Sequence, residues 1–362
     1  MQSAQLTEFG KPLVLNEIRG PEPQGREVLL ETVACGVCHS DLHMADGYYD
    51  LGGGRRTYLK AAGMSLPRTL GHEVVGRVLA VGPTAEGAEA GEVRLVYPWI
   101  GCGECKECGR GASHLCGRSR AIGVFTDGGY SDHVLVPDPR FLLEIGDLRP
   151  EIACSYACAG LTAFSALRKI TPLDPDDGLL IIGAGGLGLM ALQLVRELTD
   201  TRVIVVDSDA RKLEAAARFG NWSLIDASNR SAFAQIRTLT RRAGVAAVVD
   251  FVGSGETARL GYGSLARNGT LVVVGLYGGQ LVVPTPALPL KNVTIRGSYT
   301  GSLSELRYLV SIVRAGQLRP LPAKTFPLDS AQEVLDRLRS GDIVGRAVLR
   351  PTSTPATPPA KQ

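Results

Sequence analysis

Leu179–Asp207 reads LLIIGAGGLGLMALQLVRELTDTRVIVVD. Leu179–Ile182 is a short apolar run of the kind buried on both faces of a parallel sheet. A glycine-rich turn follows, then the apolar helix-like stretch Leu187–Leu198, then a second strand over Val203–Val206. Gly183, Gly185 and Gly188 form G-x-G-x-x-G between strand and helix, and Asp207 stands 19 residues beyond the last glycine. That is the context a dinucleotide fingerprint requires. Gly183 permits the tight turn, Gly185 lets the backbone approach a pyrophosphate, and Gly188 lets helix and strand pack closely. The helix N-terminus, with Gly186 and Leu187, offers free N–H groups to the anion. A carboxylate at Asp207 accepts hydrogen bonds from the adenosine ribose and repels a 2′-phosphate, which predicts NAD over NADP. Arg211, just beyond, reads as part of a solvated helix face.

Outward from this unit, Ala210–Phe219 reads as a helix, and Ala246–Asp250 and Leu271–Val274 as strands. Alternating strand and helix predict an α/β fold with a Rossmann doubly wound parallel sheet. The texture before residue 150 differs. Glycine and proline are frequent, and short β-branched runs (Val28–Val33, Val74–Val81, Val93–Tyr97) are each followed by turn residues. This predicts a β-rich segment with long loops. Gly47–Pro67 has no clear period and is expected to be a long surface loop, with room for a helical turn. After about residue 295 the pattern turns mixed, with helices over Glu305–Ala315 and Gln332–Ser340 and a closing strand at Ala347–Leu349. The tail 351–362, PTSTPATPPAKQ, is expected to be disordered.

A chain of 362 residues suggests about two domains. With 44% hydrophobic and 21% charged residues it is globular in composition. Lys plus Arg number 39 against 36 acidic residues, so the net charge of +3 gives no sign of nucleic-acid binding or of attraction to a membrane surface. There is no apolar run long enough for a membrane span, and the N-terminus does not read as a secretory signal. The expected location is cytoplasmic.

Eight cysteines occupy positions 35, 38, 102, 105, 108, 116, 154 and 158. In a reducing compartment, clustered cysteines are more often metal ligands than disulfides. Cys102, Cys105, Cys108 and Cys116 stand at C-x2-C-x2-C-x7-C within GCGECKECGRGASHLCG. Four thiolates in one glycine-rich loop suit a closed tetrahedral zinc site, structural because no position is open. The alternative is an iron–sulfur cluster. The ferredoxin run has three residues before its last cysteine and a proline after it; here there are seven, then Gly117, which favours zinc.

The other candidates lie far apart. Cys38, His39, Ser40, Asp41 and His43 fall in GVCHSDLH, His72 and Glu73 in LGHEVVG, Cys158 and Thr162 in YACAGLTAF, and Arg346 in GRAVL. Taken singly, Cys158 also reads as a small buried hydrophobe and His72 as a core histidine. Together, in this order, with the four-cysteine lobe and GAGGLG, they resemble the zinc-dependent medium-chain alcohol dehydrogenases over residues 1–350. The tetrameric bacterial and archaeal NAD enzymes are the most similar type.

The resemblance implies a discontinuous GroES-like catalytic domain from 1–155 and 297–350, with its structural-zinc lobe at 101–117, and a Rossmann NAD-binding domain at 156–296. It implies that Cys38, His72 and Cys158 bind a catalytic zinc. Two thiolates and an imidazole would leave one position open for water or alcohol. Glu73 corresponds to a carboxylate that can approach the metal, and Asp41 to a partner orienting the ligand histidine. Ser40 and His43 correspond to a proton relay. His39 and Arg346 correspond to pyrophosphate contacts, Thr162 to a position beside the nicotinamide, and Lys212 to one beside the adenosine ribose. Trp99, in VYPWIG, resembles an aromatic lining the substrate cleft, though plain packing would equally bury it. Cys35 and Cys154 match no ligand position and are expected to be buried thiols. The Gly47–Pro67 stretch is longer than in many relatives, which suggests that it borders the substrate entrance or a subunit contact, or is a plain insertion. The implied activity is hydride transfer between a primary or secondary alcohol and NAD, with two zinc ions per chain, in a homo-oligomer, tetramer or dimer. A polyol dehydrogenase of the same superfamily is the nearest alternative, although such relatives often lack a cysteine at the position of Cys158. A zinc-free quinone reductase or a non-catalytic NAD- or zinc-binding scaffold would leave the ligand and relay residues unexplained.

Overall fold

The computed structural model describes residues 1–228 and 231–351. The tail from 352 onward, expected to be disordered, lies outside the described residues.

Six parallel strands form the sheet that the glycine-rich stretch belongs to. Their spatial order is Ser223–Asp226, Arg202–Asp207, Gly178–Ile182, Val245–Asp250, Leu265–Val273 and Thr294–Gly297. The chain starts in the middle, winds to one edge and returns to wind to the other, which leaves a crevice at the switch point between Gly178–Ile182 and Val245–Asp250. The central strand shows why its sequence is apolar throughout. Leu179 and Ile181 join the large core shared with the first part of the chain, whereas Leu180 and Ile182 join a separate cluster with Ile204, Ile225, Val248 and Leu271. Side chains alternate with period 2, so a strand covered on both faces needs apolar residues at every position.

The second large sheet has seven strands. Six lie in the order Leu142–Glu144, Val93–Val96, Glu73–Val81, Val28–Val37, Arg346–Arg350 and Ala323–Pro327, and His133–Val136 also pairs with Val28–Val37. The last two strands come from the far end of the chain. Leu349, Val348 and Ala347 face Cys35, Gly36 and Val37, so Arg346 arrives beside Cys38. On the other side Gly36 faces Glu73 and Cys35 faces Val74. Gly36 has to be glycine: a methyl there would lie only 2.0 Å from Glu73 Oε2. One register thus places Cys38, His72, Glu73 and Arg346 at a single end of one sheet.

Gly47–Pro67 departs from the expected loop. Tyr48–Gly52 and Arg55–Tyr58 form an antiparallel hairpin, with Tyr48 opposite Tyr58 and Asp50 opposite Arg56. The turn Gly52–Gly53–Gly54 has positive φ at all three residues, and the Arg56 guanidinium sits 3.9 Å from the Tyr48 ring centroid. Its tip touches Gly279 and Gln280 from the parallel-sheet half. Past the hairpin, Leu59 and Met64 are buried and anchor the segment. Among the described residues no helix is long and apolar enough to cross a membrane.

Candidate active site and metal centres

Val28–Val37 ends where Cys38 caps the helix His39–Asp46. Cys38 donates its backbone N–H to Asp41 Oδ2 at 2.9 Å, which fixes the first turn. The same Asp41 oxygen accepts from Tyr130 Oη at 2.8 Å, and Asp41 Oδ1 lies 3.2 Å from His72 Nδ1. Asp41, His72 and Tyr130 are fully buried. The carboxylate therefore stands beside the Nδ1 edge of the His72 ring, at ion-pair distance. Nδ1 and Nε2 are both buried, and neither makes a hydrogen bond among the described residues. A buried imidazole nitrogen without a partner costs free energy unless something fills its lone pair.

Cys38 Sγ, Cys158 Sγ and a His72 ring nitrogen lie within 4.8 Å of one another, and all three residues are buried. The two sulfurs are 4.0 Å apart and neither is in a disulfide. A tetrahedral zinc with Zn–S of about 2.3 Å puts two sulfurs roughly 3.8 Å apart, so this donor set fits the ion. The Cys38 thiol is held well below its usual range, chiefly by the nearby Cys158 S–H and then by His72. Ser40 Oγ lies 3.8 Å from Cys38 Sγ, and His43 follows one turn later on the same helix face, half-buried against the Tyr49 ring at 5.2 Å. Burial lowers the His43 imidazole below its ordinary value.

Glu73 is buried behind this group. Its Oε1 accepts from Ala159 N–H at 3.1 Å, and its Oε2 pairs with Arg346. Burial pushes the Glu73 carboxyl up to about 7, with the Arg346 guanidinium opposing the shift. Arg346 also reaches the glycine-rich turn: a methyl at Gly186 would lie 2.8 Å from its Nη1.

The turn itself has the expected geometry. Gly183 has φ of +91°, and a methyl on Gly188 would fall 1.9 Å from the Gly183 carbonyl oxygen, so only glycine lets helix Gly186–Leu198 start there. A methyl on Gly185 would meet nothing within 4 Å, which leaves that side open for a ligand. Asp207 ends its strand with Oδ2 accepting from Ala184 N–H at 2.7 Å and Oδ1 from Asp209 N–H at 2.9 Å. Its negative charge is thereby fixed at the crevice edge. Lys212 lies on the following helix, Ala210–Ala217. Arg211 is exposed and pairs with Asp209, as expected of a solvated face. His39 is exposed at the mouth, within electrostatic reach of Arg346 and Lys212. Thr162 is buried, and its hydroxyl has no partner among the described residues.

The second group of donors comprises Cys102, Cys105, Cys108 and Cys116, whose sulfurs lie within 4.8 Å of one another. Backbone N–H groups of Glu104 and Cys105 pull the Cys102 thiol down to about 6. Cys116 Sγ accepts from Cys102 N–H and Arg118 N–H, both at 3.3 Å. All four coordination positions are filled by protein, so this site has no place for a substrate.

With two donor sets and a dinucleotide turn in one chain, the comparisons with known proteins agree. Residues 24–147 match the alcohol dehydrogenase GroES-like domain, and residues 186–315 match the zinc-binding dehydrogenase family. The chain is 39% identical to the NAD-dependent alcohol dehydrogenase of Sulfurisphaera tokodaii, over 97% of this chain and 100% of that one. It is 38% identical, with the same coverage, to the NAD-dependent alcohol dehydrogenase of Saccharolobus solfataricus. The crystal structure of the alcohol dehydrogenase from Aeropyrum pernix superposes with a TM-score of 0.89 at 34% identity, covering 97% of this chain and 100% of that one. The chain belongs to the zinc-dependent medium-chain alcohol dehydrogenase family.

In this family member Trp99 is buried. Its ring centroid lies 5.3 Å from that of His72 and 5.9 Å from that of Tyr299, which it meets edge-on. Its indole N–H donates to the Ala157 carbonyl at 3.1 Å, one residue before Cys158. It therefore packs, as any buried Trp does, but it packs on the donor set itself. Cys35 and Cys154 are fully buried, and burial pushes both thiols up, which agrees with inert core positions. Tyr130, Tyr49 and Tyr299 were not anticipated from sequence. Tyr130 lies in DGGYSD and Tyr299 in GSYTG, and neither stretch has a spacing that points toward Asp41 or Trp99. Asp250 was also missed: at a strand end, it accepts from Val252 and Gly253 N–H, both at 2.9 Å, and from Thr257 Oγ1 at 2.8 Å, shaping the turn across the crevice.

Proposed function

We propose that this chain oxidises primary or secondary alcohols to aldehydes or ketones, and reduces them back, with NAD as hydride acceptor and donor. The observation that carries this reading is the convergence of the Cys38 and Cys158 sulfurs on a buried His72 ring nitrogen without a hydrogen-bond partner among the described residues, at the end of the sheet nearest the glycine-rich turn. In this reading these three residues hold a catalytic zinc, and Cys102, Cys105, Cys108 and Cys116 hold a structural one. The catalytic ion, when bound, would supply Lewis-acid stabilisation of an alkoxide, and NAD would supply the hydride-accepting ring.

The chain's own residues do the rest. Ser40 Oγ would take up the alcohol proton as its own hydroxyl proton moves on toward His43, which lies one helical turn on, is half-exposed and would release a proton to solvent. Asp41 fixes the His72 ring. Glu73 stands behind the donor set, paired with Arg346, as a carboxylate able to approach the metal. Arg346, His39 and the N–H groups at Gly186, Leu187 and Gly188 receive the pyrophosphate. Asp207 and Lys212 receive the adenosine ribose, and Thr162 positions the nicotinamide. Trp99 and Tyr299 wall the substrate side and exclude water. Residues 1–155 and 297–350 then form the catalytic domain, and 156–296 the NAD-binding domain.

A homo-oligomer, tetramer or dimer, acting in the cytoplasm completes the reading. The edge strand Thr294–Gly297 supports association: among the described residues it pairs only with Leu265–Val273, and Leu290, four residues before it in the chain, is exposed. The deciding experiment is NAD reduction by a panel of short, branched, aromatic and cyclic alcohols, with and without a chelator. Reduction that survives complete removal of zinc would overturn the proposal.

A further inference from the structure

Ser113 lies between Cys108 and Cys116 in the four-cysteine lobe, and its hydroxyl points out of the lobe toward the substrate wall. Ser113 Oγ donates to the Trp99 carbonyl at 3.0 Å and lies 3.2 Å from Tyr97 Oη. Tyr97, fully buried, donates to the Gly301 carbonyl at 2.9 Å. Gly301 is two residues past Tyr299, the ring that meets Trp99 edge-on. Between them Thr300 has φ of +40°, a region a β-branched residue rarely enters, and its buried hydroxyl has no partner among the described residues. Such a conformation persists only where the surroundings over-determine it. The bond from Tyr97 to Gly301 is one of the constraints that do so.

The lobe side of this connection is equally tight. Ser113 O accepts from Cys116 N–H at 3.1 Å. A methyl on Gly101, two residues after Trp99, would lie 2.5 Å from Cys108 Sγ and 3.1 Å from Ser113 O. The position of the Ser113 hydroxyl is therefore set by the same turn that gathers the thiols. Trp99 is held through its carbonyl by the Ser113 hydroxyl of the lobe, and Tyr299 through Gly301 by the Tyr97 hydroxyl, which rests against Ser113 Oγ.

We propose that Ser113 and Tyr97 are positioning residues that couple the four-cysteine lobe to the Trp99–Tyr299 wall, so that a metal-ordered lobe sets which alcohols fit the pocket as well as how stable the chain is. This rests on the reading of Trp99 and Tyr299 as the substrate wall. If the two bonds served stability alone, their loss would affect all alcohols alike.

The sequence has two tryptophans, so Trp222→Phe leaves Trp99 as the sole indole reporter. Ser113→Ala and Tyr97→Phe, each made in that background of the full chain, remove one hydroxyl and little else. Acrylamide quenching of Trp99 fluorescence should rise by about twofold in either variant as the wall loosens. In steady-state kinetics, KM for benzyl alcohol should rise about fivefold, the size of one lost hydrogen bond, with kcat for benzyl alcohol and kcat/KM for ethanol changed by less than about twofold. Stripping the lobe with a mercurial, which reaches the half-exposed Cys102, Cys105 and Cys108 before the buried Cys38 and Cys158, should raise Trp99 quenching in the Trp222→Phe chain and add nothing further in Ser113→Ala. Unchanged quenching together with an unchanged benzyl-to-ethanol ratio in both variants would overturn the coupling. A chain that reduces NAD with neither alcohol overturns the proposed function instead, and the quenching arms still decide whether lobe and wall are coupled.

Discussion

Asp41 Oδ1 lies 3.2 Å from His72 Nδ1, and both side chains are shut off from solvent. The carboxylate is itself held by Tyr130 Oη and the Cys38 N–H, so three elements distant in sequence agree on one ring orientation. Asp41→Asn keeps the shape and removes the charge. Carboxylate partners of ligand histidines typically contribute 10–100-fold in metal affinity, so zinc should bind about that much more weakly. Competition against a chromogenic chelator measures it, and unchanged affinity would remove Asp41 from the metal site.

Cys158→Ala deletes one donor of the buried set and leaves the lobe intact. Metal content should fall from about two ions per chain to about one, because two remaining donors hold zinc poorly. Alcohol-dependent NAD reduction should drop to background while the far-UV circular dichroism is retained. A variant with near-normal turnover would refute the ligand assignment.

Gly185 and Gly188 separate cofactor binding from folding. Gly188→Ala places a methyl 1.9 Å from the Gly183 carbonyl, so helix and strand must move apart. Overpacking of this kind costs about 1–3 kcal/mol, visible in urea unfolding. Gly185→Ala meets nothing within 4 Å and has an ordinary φ of −73°, so stability should hold. Its methyl would instead occupy the open side of the turn. NAD titration should then show weakened binding in Gly185→Ala without a loss of stability.

Asp207→Asn tests cofactor choice. Asp207 accepts two backbone N–H bonds, and an amide oxygen can replace only one of those acceptors. Some destabilisation is therefore expected, but the informative quantity is a ratio. The preference for NAD over NADP in kcat/KM should fall by about tenfold, or roughly 1.4 kcal/mol of removed repulsion. A ratio that does not move would assign the choice to other residues.

How much of this was legible in the sequence depends on range. The parallel sheet was readable because its signals are local: an apolar strand, three glycines at fixed spacing and a carboxylate at the next strand end lie within thirty or so residues of one another. The lobe was readable for the same reason. Cys38, His72 and Cys158 have no local pattern, and only the family resemblance joined them. What brings them together is register, with Gly36 opposite Glu73 and Ala347 opposite Val37, and register is a tertiary property. The hairpin at Tyr48–Tyr58 was missed because its strands carry no apolar alternation. Its cross-strand contacts are Tyr48 with Tyr58 and Arg56 on Tyr48, although the Gly52–Gly54 turn was a usable signal. Tyr130 and Tyr299 were invisible for a simpler reason: a tyrosine in a glycine-rich loop says nothing about what its hydroxyl or ring will meet.

The pH dependence of turnover should carry the signature of His43. Burial lowers its imidazole below the ordinary value of about 6.5, with Asp46 and Cys38 opposing and Arg339 reinforcing the shift. At neutral pH it is therefore uncharged and able to accept the relay proton. Protonation switches it off, so kcat for alcohol oxidation should fall along an acid limb below pH 6.5. Stability moves the same way. The unfolded chain takes up this proton near 6.5 and the folded chain only at lower pH, so the His43 contribution is intact above 6.5 and diminishes as pH drops toward the folded value. Glu73, pushed up to about 7, titrates close by, and His43→Gln separates the two because it leaves Glu73 and Arg346 untouched. That variant should lose about tenfold in kcat at pH 7, less than the 10²–10⁴ typical of an irreplaceable general base, because solvent reaches this half-exposed position. Its remaining activity should lack the His43 limb. An identical acid limb in wild type and His43→Gln would place the proton exit elsewhere.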